Sequence, residues 1–591
     1  MTDSPFTSRT VPVSYQNPAD APRRPRLRGL PVLVIVALYW AGLFVARRLD
    51  LAQFHQFLAV LGLLVFLLLG VVAWWLCRRG VRWRDKGLVL GVGLVALGVG
   101  TGFLVHPSLM GPGFVLLALP YVLTVLAITG VIGARLPAGT GRWLALAAAA
   151  VVWAIFPLLR ADGVDGQQRW GLHWRWTPTP EQQYLAERAA AGKATKAGDV
   201  VASPTDWPGF RGASRDGIAR GVTPASTTWS AAVPTKLWRH KIGPGWSSMA
   251  VAAGRVYTQE QRGSAEAVVC LDADTGLEIW SHEDAARFEE ALAGAGPRGT
   301  PTVDGGKVYA QGATGLLNCL DAATGKKLWS RNVATEAGAA VPLWGFSASP
   351  LVTDGLVVTY AGGPKGLLAY KAETGEPAWT AEVGIFSYTS PQLATLNGER
   401  QVLFLDDRGV AGFDIATGKQ KWLHAAPTPN STRSCQPIAV DGKTVLFSSE
   451  VDIGIATFEV STGTTWSATP KWQTKAMKPA YNDLVVFEGH AYGFDGGNLA
   501  CVDLATGKKV WRGVGYGHGQ LVLLADPKLL VVITEQGEAA LVRATPEKHE
   551  ELGRFEAVAG KTWNHPAVAG GRLYVRNGEE IGCYQIAAAA K

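Results

Sequence analysis

One short pattern recurs eight times along the C-terminal two thirds of the chain. Its clearest copy is Asp321-Ala322-Ala323-Thr324-Gly325-Lys326-Lys327-Leu328-Trp329: an Asp, then Thr-Gly, then a Trp eight positions after the Asp. Asp272, Thr275, Gly276 and Trp280 repeat it, as do Asp414, Thr417, Gly418 and Trp422, and Asp503, Thr506, Gly507 and Trp511. Lys371 takes the Asp place in a fifth copy, with Thr374, Gly375 and Trp379. Weaker echoes stand around Glu459 (Thr462, Gly463, then Trp466 or Trp472), Arg543 and Gln585. Successive anchors lie 49, 50, 43, 45, 44, 40 and 42 residues apart. A β-rich unit of about 40 to 50 residues is the period of propeller blades.

Each unit reads as four short strands closed by Gly or Asp-Gly, as in 349–353, 356–360, 366–372 and 377–383. The Thr-Gly pair supplies the positive φ that a tight turn between the third and fourth strands needs. The Trp then falls on the outermost strand, where its surface can pack between blades. A blade cannot bury both faces alone, so the units must stack in a ring. The last unit stops after three strands, while Thr235-Lys236-Leu237-Trp238-Arg239-His240-Lys241 has the look of an outer strand without a unit of its own. Pairing the two predicts an all-β, eight-bladed β-propeller of four-stranded antiparallel blades, with no open edge.

Composition changes near residue 160. The first 160 residues carry 15 Lys or Arg against 4 Asp or Glu, whereas the rest carry 41 against 44. The basic pI therefore reports a membrane flank, and nothing in the slightly acidic ring argues for nucleic acid. Apolar stretches at 30–46, 54–77, 87–105, 113–134 and 143–159 predict an α-helical membrane domain of five spans. Arg47 and Arg48 follow the first directly with no small-residue cleavage site, so it reads as retained. Lys and Arg concentrate in the N-terminal tail, the second loop and the fourth. That bias places the N-terminus in the cytoplasm and the propeller in the periplasm of a bacterial inner membrane. No Asp, Glu, Lys or Arg lies within a span, which favours an anchor over a transporter. The expected domains are a tail at 1–29, the spans at 30–160, a linker with a short helix at 161–206, and the propeller at 207–591.

Cys270, Cys319, Cys501 and Cys583 stand two residues before the anchor of four units, too far apart in a ring to bridge, and read as small buried thiols. Neither a zinc spacing nor a nucleophile elbow nor a phosphate loop is present. The function of a propeller belongs to the mouth of its channel, lined by the segments leading into each innermost strand. Here those segments carry Trp246, Arg298, Trp344, Phe346, Tyr388, Arg433, Tyr481, Asn482, His518, Trp563, Asn564 and His565. Cationic groups beside stacking aromatics suit a planar anionic ligand; the same residues can also simply fill and cap a tapering channel.

The Asp-x-x-Thr-Gly-x-x-x-Trp unit resembles the repeat of the pyrroloquinoline-quinone-type β-propellers, and Asp206-Trp207-Pro208-Gly209-Phe210-Arg211-Gly212 with Arg215-Asp216-Gly217 resembles the lead-in of its bacterial members. The family holds quinoprotein alcohol and glucose dehydrogenases and also the lipoprotein subunit of the outer-membrane β-barrel assembly machine. The resemblance covers about residues 206 to 586. It implies, for cofactor-using members, a quinone on a Trp floor, a Glu-Asn-Asp set around Ca²⁺ and often a disulfide between adjacent cysteines. This chain has no Cys-Cys pair, and among the mouth residues only Asn482 and Asn564, beside Asp483, suit a calcium ligand. The expectation is an exported propeller that binds an envelope protein or small ligand without cofactor or redox turnover. The alternative is a dehydrogenase using pyrroloquinoline quinone with calcium and passing electrons to membrane quinone. In that alternative Trp563 or Trp246 is the floor, Arg298 a carbonyl partner and His565 a base.

Overall fold

The computed structural model describes residues 29–587, apart from 50–52, 79–82, 111, 134–135, 137, 167–168, 191, 193, 196–199, 202, 364, 430 and 451. The chain divides into two compact units, one of N-terminal helices and one containing everything from Pro157 onward. The tail at 1–28 lies outside the described residues, as does part of the stretch between the linker helix and the ring.

Five helices stand where the apolar stretches predict them: α1 (Leu30–Ala46), α2 (Gln53–Cys77), α3 (Trp83–Val99), α4 (Pro112–Gly133) and α5 (Ala138–Ile155). Among the described residues two of them, over His55–Cys77 and Phe114–Gly133, are long and apolar enough to cross a membrane, not five. Helix α1 ends at Ala46 before an Arg pair, α3 loosens into a π turn at Gly100–Leu104, and α5 gives way to a 3₁₀ turn at Phe156–Leu158 that contains Pro157.

In the second unit eight antiparallel sheets run in chain order. Blades 1 to 8 have innermost strands at Ala250–Ala252, Thr302–Asp304, Leu351–Thr353, Gln392–Leu396, Ile438–Ala439, Val485–Phe487, Gln520–Leu524 and Ala567–Ala569. The second and third strands of each blade are almost wholly buried, because each sheet is covered on both faces by its neighbours. The ring closes as expected: Glu580–Gln585 pairs antiparallel with Thr235–Lys241, from Glu580 opposite Lys241 to Gln585 opposite Thr235.

The repeated pattern is an inter-blade fastener. Thr324 donates from its backbone N (2.8 Å) and its Oγ1 (2.6 Å) to Asp321 Oδ1, and Gly325, at φ +73°, completes the turn. The indole of Trp280, from the preceding blade, lies on that glycine and donates from Nε1 to Ala322 O at 3.2 Å. The same contact joins Trp238 to Gly276, Trp329 to Gly375, Trp379 to Gly418 and Trp472 to Gly507, each with its indole N–H on a carbonyl of the same turn. The Glu459 unit thus uses Trp472. Trp511 reaches the carbonyl of Thr545 in blade 7. Trp422 departs from the rule, bonding Gln401 of its own blade at 2.8 Å. Its neighbour's hairpin runs on to Thr462 and Trp466, and Gly463 lacks positive φ, so blade 5 offers no tight turn to receive the ring.

Pro180–Ala190 (α6) is capped by reciprocal bonds between Thr179 and Gln182, as its sequence predicts. Before it, Leu159–Val164 (β1) and Trp170–Trp174 (β2) form an antiparallel hairpin that the sequence reading missed.

Candidate functional site

The segments leading into the innermost strands stitch the ring together. Ser248 N donates to Thr300 Oγ1 (3.0 Å), Thr300 N to Ser349 Oγ (2.9 Å), Ser349 N to Ser390 Oγ (2.9 Å), Ser390 N to Gln436 Oε1 (2.8 Å) and Gln436 N to Asp483 Oδ1 (2.7 Å). In five of the eight blades a buried N–H is thus satisfied by a side chain of the next, which is why short polar residues recur there. Asn482 extends the stitching to Gly519 O, and Asn564 closes it onto Gly245 O (3.1 Å) and Ser247 O (2.7 Å).

Deeper along the inner strands the lead-in crosses the channel. Trp207 pairs with Val251, Pro208 O accepts from Val303 N at 2.7 Å, and Arg215 donates to Ser349 O and Pro350 O. Arg211, wholly buried, donates to Leu484 O and pairs with Asp483 at 3.1 Å. Ile218 and Ala219 then join blade 7 in parallel with Leu523 and Leu524. His565 packs against Phe210 at 5.8 Å, and burial together with the charge of Arg211 pushes its pKa down to about 3. It is a neutral floor residue. Burial raises the carboxyl of Asp483, with Arg211 opposing.

Four of the predicted residues meet above that floor. The rings of Trp246 and Trp563 lie 5.0 Å apart, Tyr481 is 4.8 Å from Trp563, and His518 stacks on Tyr481 at 5.5 Å. Two residues not singled out in the sequence complete the cluster. Lys561 Nζ sits 5.1 Å from the Trp246 ring and 4.6 Å from that of Trp563. Glu535 accepts from Trp563 Nε1 at 2.9 Å and from His518 N at 3.3 Å. Burial pushes the Lys561 ammonium down to about 8, against the pull of Glu290, Glu535 and Asp165. Burial likewise lowers His518.

The hairpin occupies this mouth. Val164 N donates to Leu292 O at 2.8 Å, Lys561 Nζ donates to Val164 O at 3.1 Å, and Gly166 N donates to Glu535 Oε1 at 2.6 Å. The turn pairs Asp162-Gly163 and Asp165-Gly166 were its sequence signal.

The remaining predicted residues lie elsewhere. Arg298 donates to Trp344 O, Gly294 O, Gly296 O and Glu290 Oε1, and burial lowers its pKa to about 10. Trp344 and Tyr388 form a separate pair at 5.3 Å. Arg433 covers Phe386 at 5.0 Å and donates to Thr428 Oγ1. Phe346 is a core residue between blades 2 and 3, among Leu317, Val357 and Leu368.

A quinone over calcium fits this arrangement poorly. The guanidinium of Arg298 is committed to three carbonyls and a carboxylate, and Glu535 to three N–H donors, although the amide oxygen of Asn564, the atom a calcium ion would take, accepts no hydrogen bond. Among the described residues no three His, Cys, Asp or Glu side chains converge on one point.

The sequence profile of the family described as outer membrane protein assembly factor BamB matches residues 215–341 and 268–513, together just over half of the chain. No curated protein matches. Among solved structures, a quinohemoprotein alcohol dehydrogenase of Pseudomonas putida is 15% identical over 66% of this chain and 81% of its own, with a TM-score of 0.46. BamB from Moraxella catarrhalis is 17% identical over 48% of this chain and 96% of its own, with a TM-score of 0.33. A quinohemoprotein alcohol dehydrogenase of Comamonas testosteroni is 14% identical over 70% and 85%, with a TM-score of 0.38. These likenesses are too distant to bear on function.

Proposed function

Because the chain belongs to the family described as outer membrane protein assembly factor BamB, we propose that it is a polypeptide-binding scaffold of the bacterial envelope, held in the inner membrane by its helices. The observation that carries this reading is the chemistry of the mouth, whose half-buried Lys561 and buried Glu535 engage the main chain of a peptide segment. Main-chain hydrogen bonds are how a protein partner is gripped without chemistry on it. The lysine and arginine bias of the N-terminal loops supports an exported propeller. With the N-terminus in the cytoplasm an exported propeller needs an odd number of crossings, so in this reading a shorter helix crosses beside the two long ones.

The test is a titration of the full chain in detergent with pyrroloquinoline quinone and Ca²⁺, followed by tryptophan fluorescence. A flat trace is expected. Saturable quenching near one equivalent, lost in Arg298→Ala or Trp563→Ala, overturns the scaffold in favour of a quinoprotein dehydrogenase. Alkaline phosphatase fused after Lys591 tests the topology: activity is expected, and an inactive but full-length fusion overturns export.

A further inference from the structure

We propose that the channel mouth is a receptor for a glycine-bearing peptide turn, and that the hairpin 159–174 is its resident intramolecular occupant, to be displaced by a turn of the same kind on a partner polypeptide. This rests on the scaffold reading and names its ligand class.

The three mouth contacts described above all fall on main-chain atoms of Val164 and Gly166. They come from separate parts of the ring: Leu292 between blades 1 and 2, Glu535 in blade 7, and Lys561 between blades 7 and 8. The Asp165 side chain turns back within the hairpin, accepting from Arg169 Nε at 2.8 Å and Arg169 N at 2.9 Å. These hydrogen bonds therefore do not read the side chains between the glycines, although the Asp165 carboxylate acts by its charge on Lys561 and His518.

The glycines are read by exclusion. Gly163 has φ +93°, and a Cβ there would meet Leu292 O. At Gly166 a Cβ would collide with the His518 ring and the Glu535 carboxylate. The mouth thus accepts Gly-x-x-Gly presented where an irregular hairpin strand runs into its turn, and rejects side chains at both ends, which is specificity by steric penalty.

A mere plug does not need this chemistry. Apolar side chains would close the mouth without taking an ammonium group out of water, a step that costs several kcal/mol unless its partners compensate. Lys561 instead lies against two indole rings with a peptide carbonyl as hydrogen-bond acceptor. The occupant is also weakly held on its own account. It is a two-stranded hairpin whose second strand is largely exposed, with Leu172 at 38% and Trp174 at 47%, and such hairpins are marginal in water. Its occupancy follows from tethering, which supplies an effective concentration on the order of millimolar. An incoming turn must compete with that, and its apparent affinity falls by the fraction of mouths left open.

The probe is a fluorescein-labelled peptide of residues 159–175, titrated by anisotropy against the full chain in detergent. In one variant Gly166→Val expels the hairpin; in a second, residues 162–172 are replaced by a Gly/Ser linker of equal length. Saturable binding to both variants is expected, at least about 50-fold tighter than to the unaltered chain. A peptide carrying Gly166→Ala should not bind, and Lys561→Met in the linker background should abolish binding. The proposal is overturned if the linker variant keeps the parent's thermal midpoint yet does not bind the peptide, or if it binds the Gly166→Ala peptide equally well. Failure here with a flat quinone titration leaves the scaffold standing, whereas quinone quenching removes the scaffold whatever the peptide does.

Discussion

Replacing Gly325 by Ala tests the inter-blade fastener directly. Two penalties add. The turn holds residue 325 at φ +73°, where an L side chain costs roughly 1 to 2 kcal/mol. The new Cβ would also enter the Trp280 indole, about 2.5 Å from Cε3, so the ring must move. Trp280 is 7% exposed and its N–H donates to Ala322 O at 3.2 Å. Losing that bond costs about 1 kcal/mol. Baring half of a side chain that buries roughly 200 Å² costs about 2.5 kcal/mol more. Partial adjustment of the ring brings the expected total to about 3 kcal/mol. Gly305→Ala is the control, because φ there is +53° and no atom lies within 4 Å of the would-be Cβ; only strain, about 1 kcal/mol, is expected. The assay is guanidinium unfolding of the full chain in detergent, reading midpoints at unchanged slope. A double-mutant cycle with Trp280→Ala separates the terms, and the extra 2 kcal/mol or so of Gly325→Ala should vanish in that background. Equal costs for Gly325→Ala and Gly305→Ala, or an excess that survives Trp280→Ala, refute the reasoning.

Arg211→Met strands the buried Asp483 without its 3.1 Å partner and should cost about 3 to 5 kcal/mol, at least half of it recovered on adding Asp483→Asn; unfolding midpoints of the three variants decide it. Burial raises Glu266 to about 7 from 4.5. Its contribution to stability is complete below pH 4.5 and is lost as pH rises through 7, at most about 3 kcal/mol. Thermal midpoints should therefore fall from pH 5 to pH 8 in the parent and flatten in Glu266→Gln; parallel pH profiles contradict this. Cys270, Cys319, Cys435, Cys501 and Cys583 are buried, with Cys319, Cys501 and Cys583 pushed up to about 12. All five should resist a thiol reagent at pH 8 until the ring unfolds, and mass spectrometry of the labelled native chain reads the outcome.

The ring was legible in the chain because a blade is a local object. The positive φ of the Thr-Gly turn, the alternation of the strands and the spacing of the anchors are fixed within one unit, and the orphan strand at Thr235–Lys241 announced the closure. The candidate site was legible only in part. Trp246, Tyr481, His518 and Trp563 come together, but Phe346 lies in the core and His565 in the floor, because position before an inner strand does not say how deep a side chain sits.

What the sequence determined by itself was the number, order and stacking of the blades, since each is written in contacts among residues close in the chain. What only the tertiary structure decided was the content of the channel. Lys561 and Glu535 meet Val164 and Gly166 across nearly 400 residues, with separations of 397 and 369. Arg211 meets Leu484 across 273. Contacts of that range leave no periodic mark on the sequence; they follow from ring closure, which brings the segments that precede the ring against its last three blades.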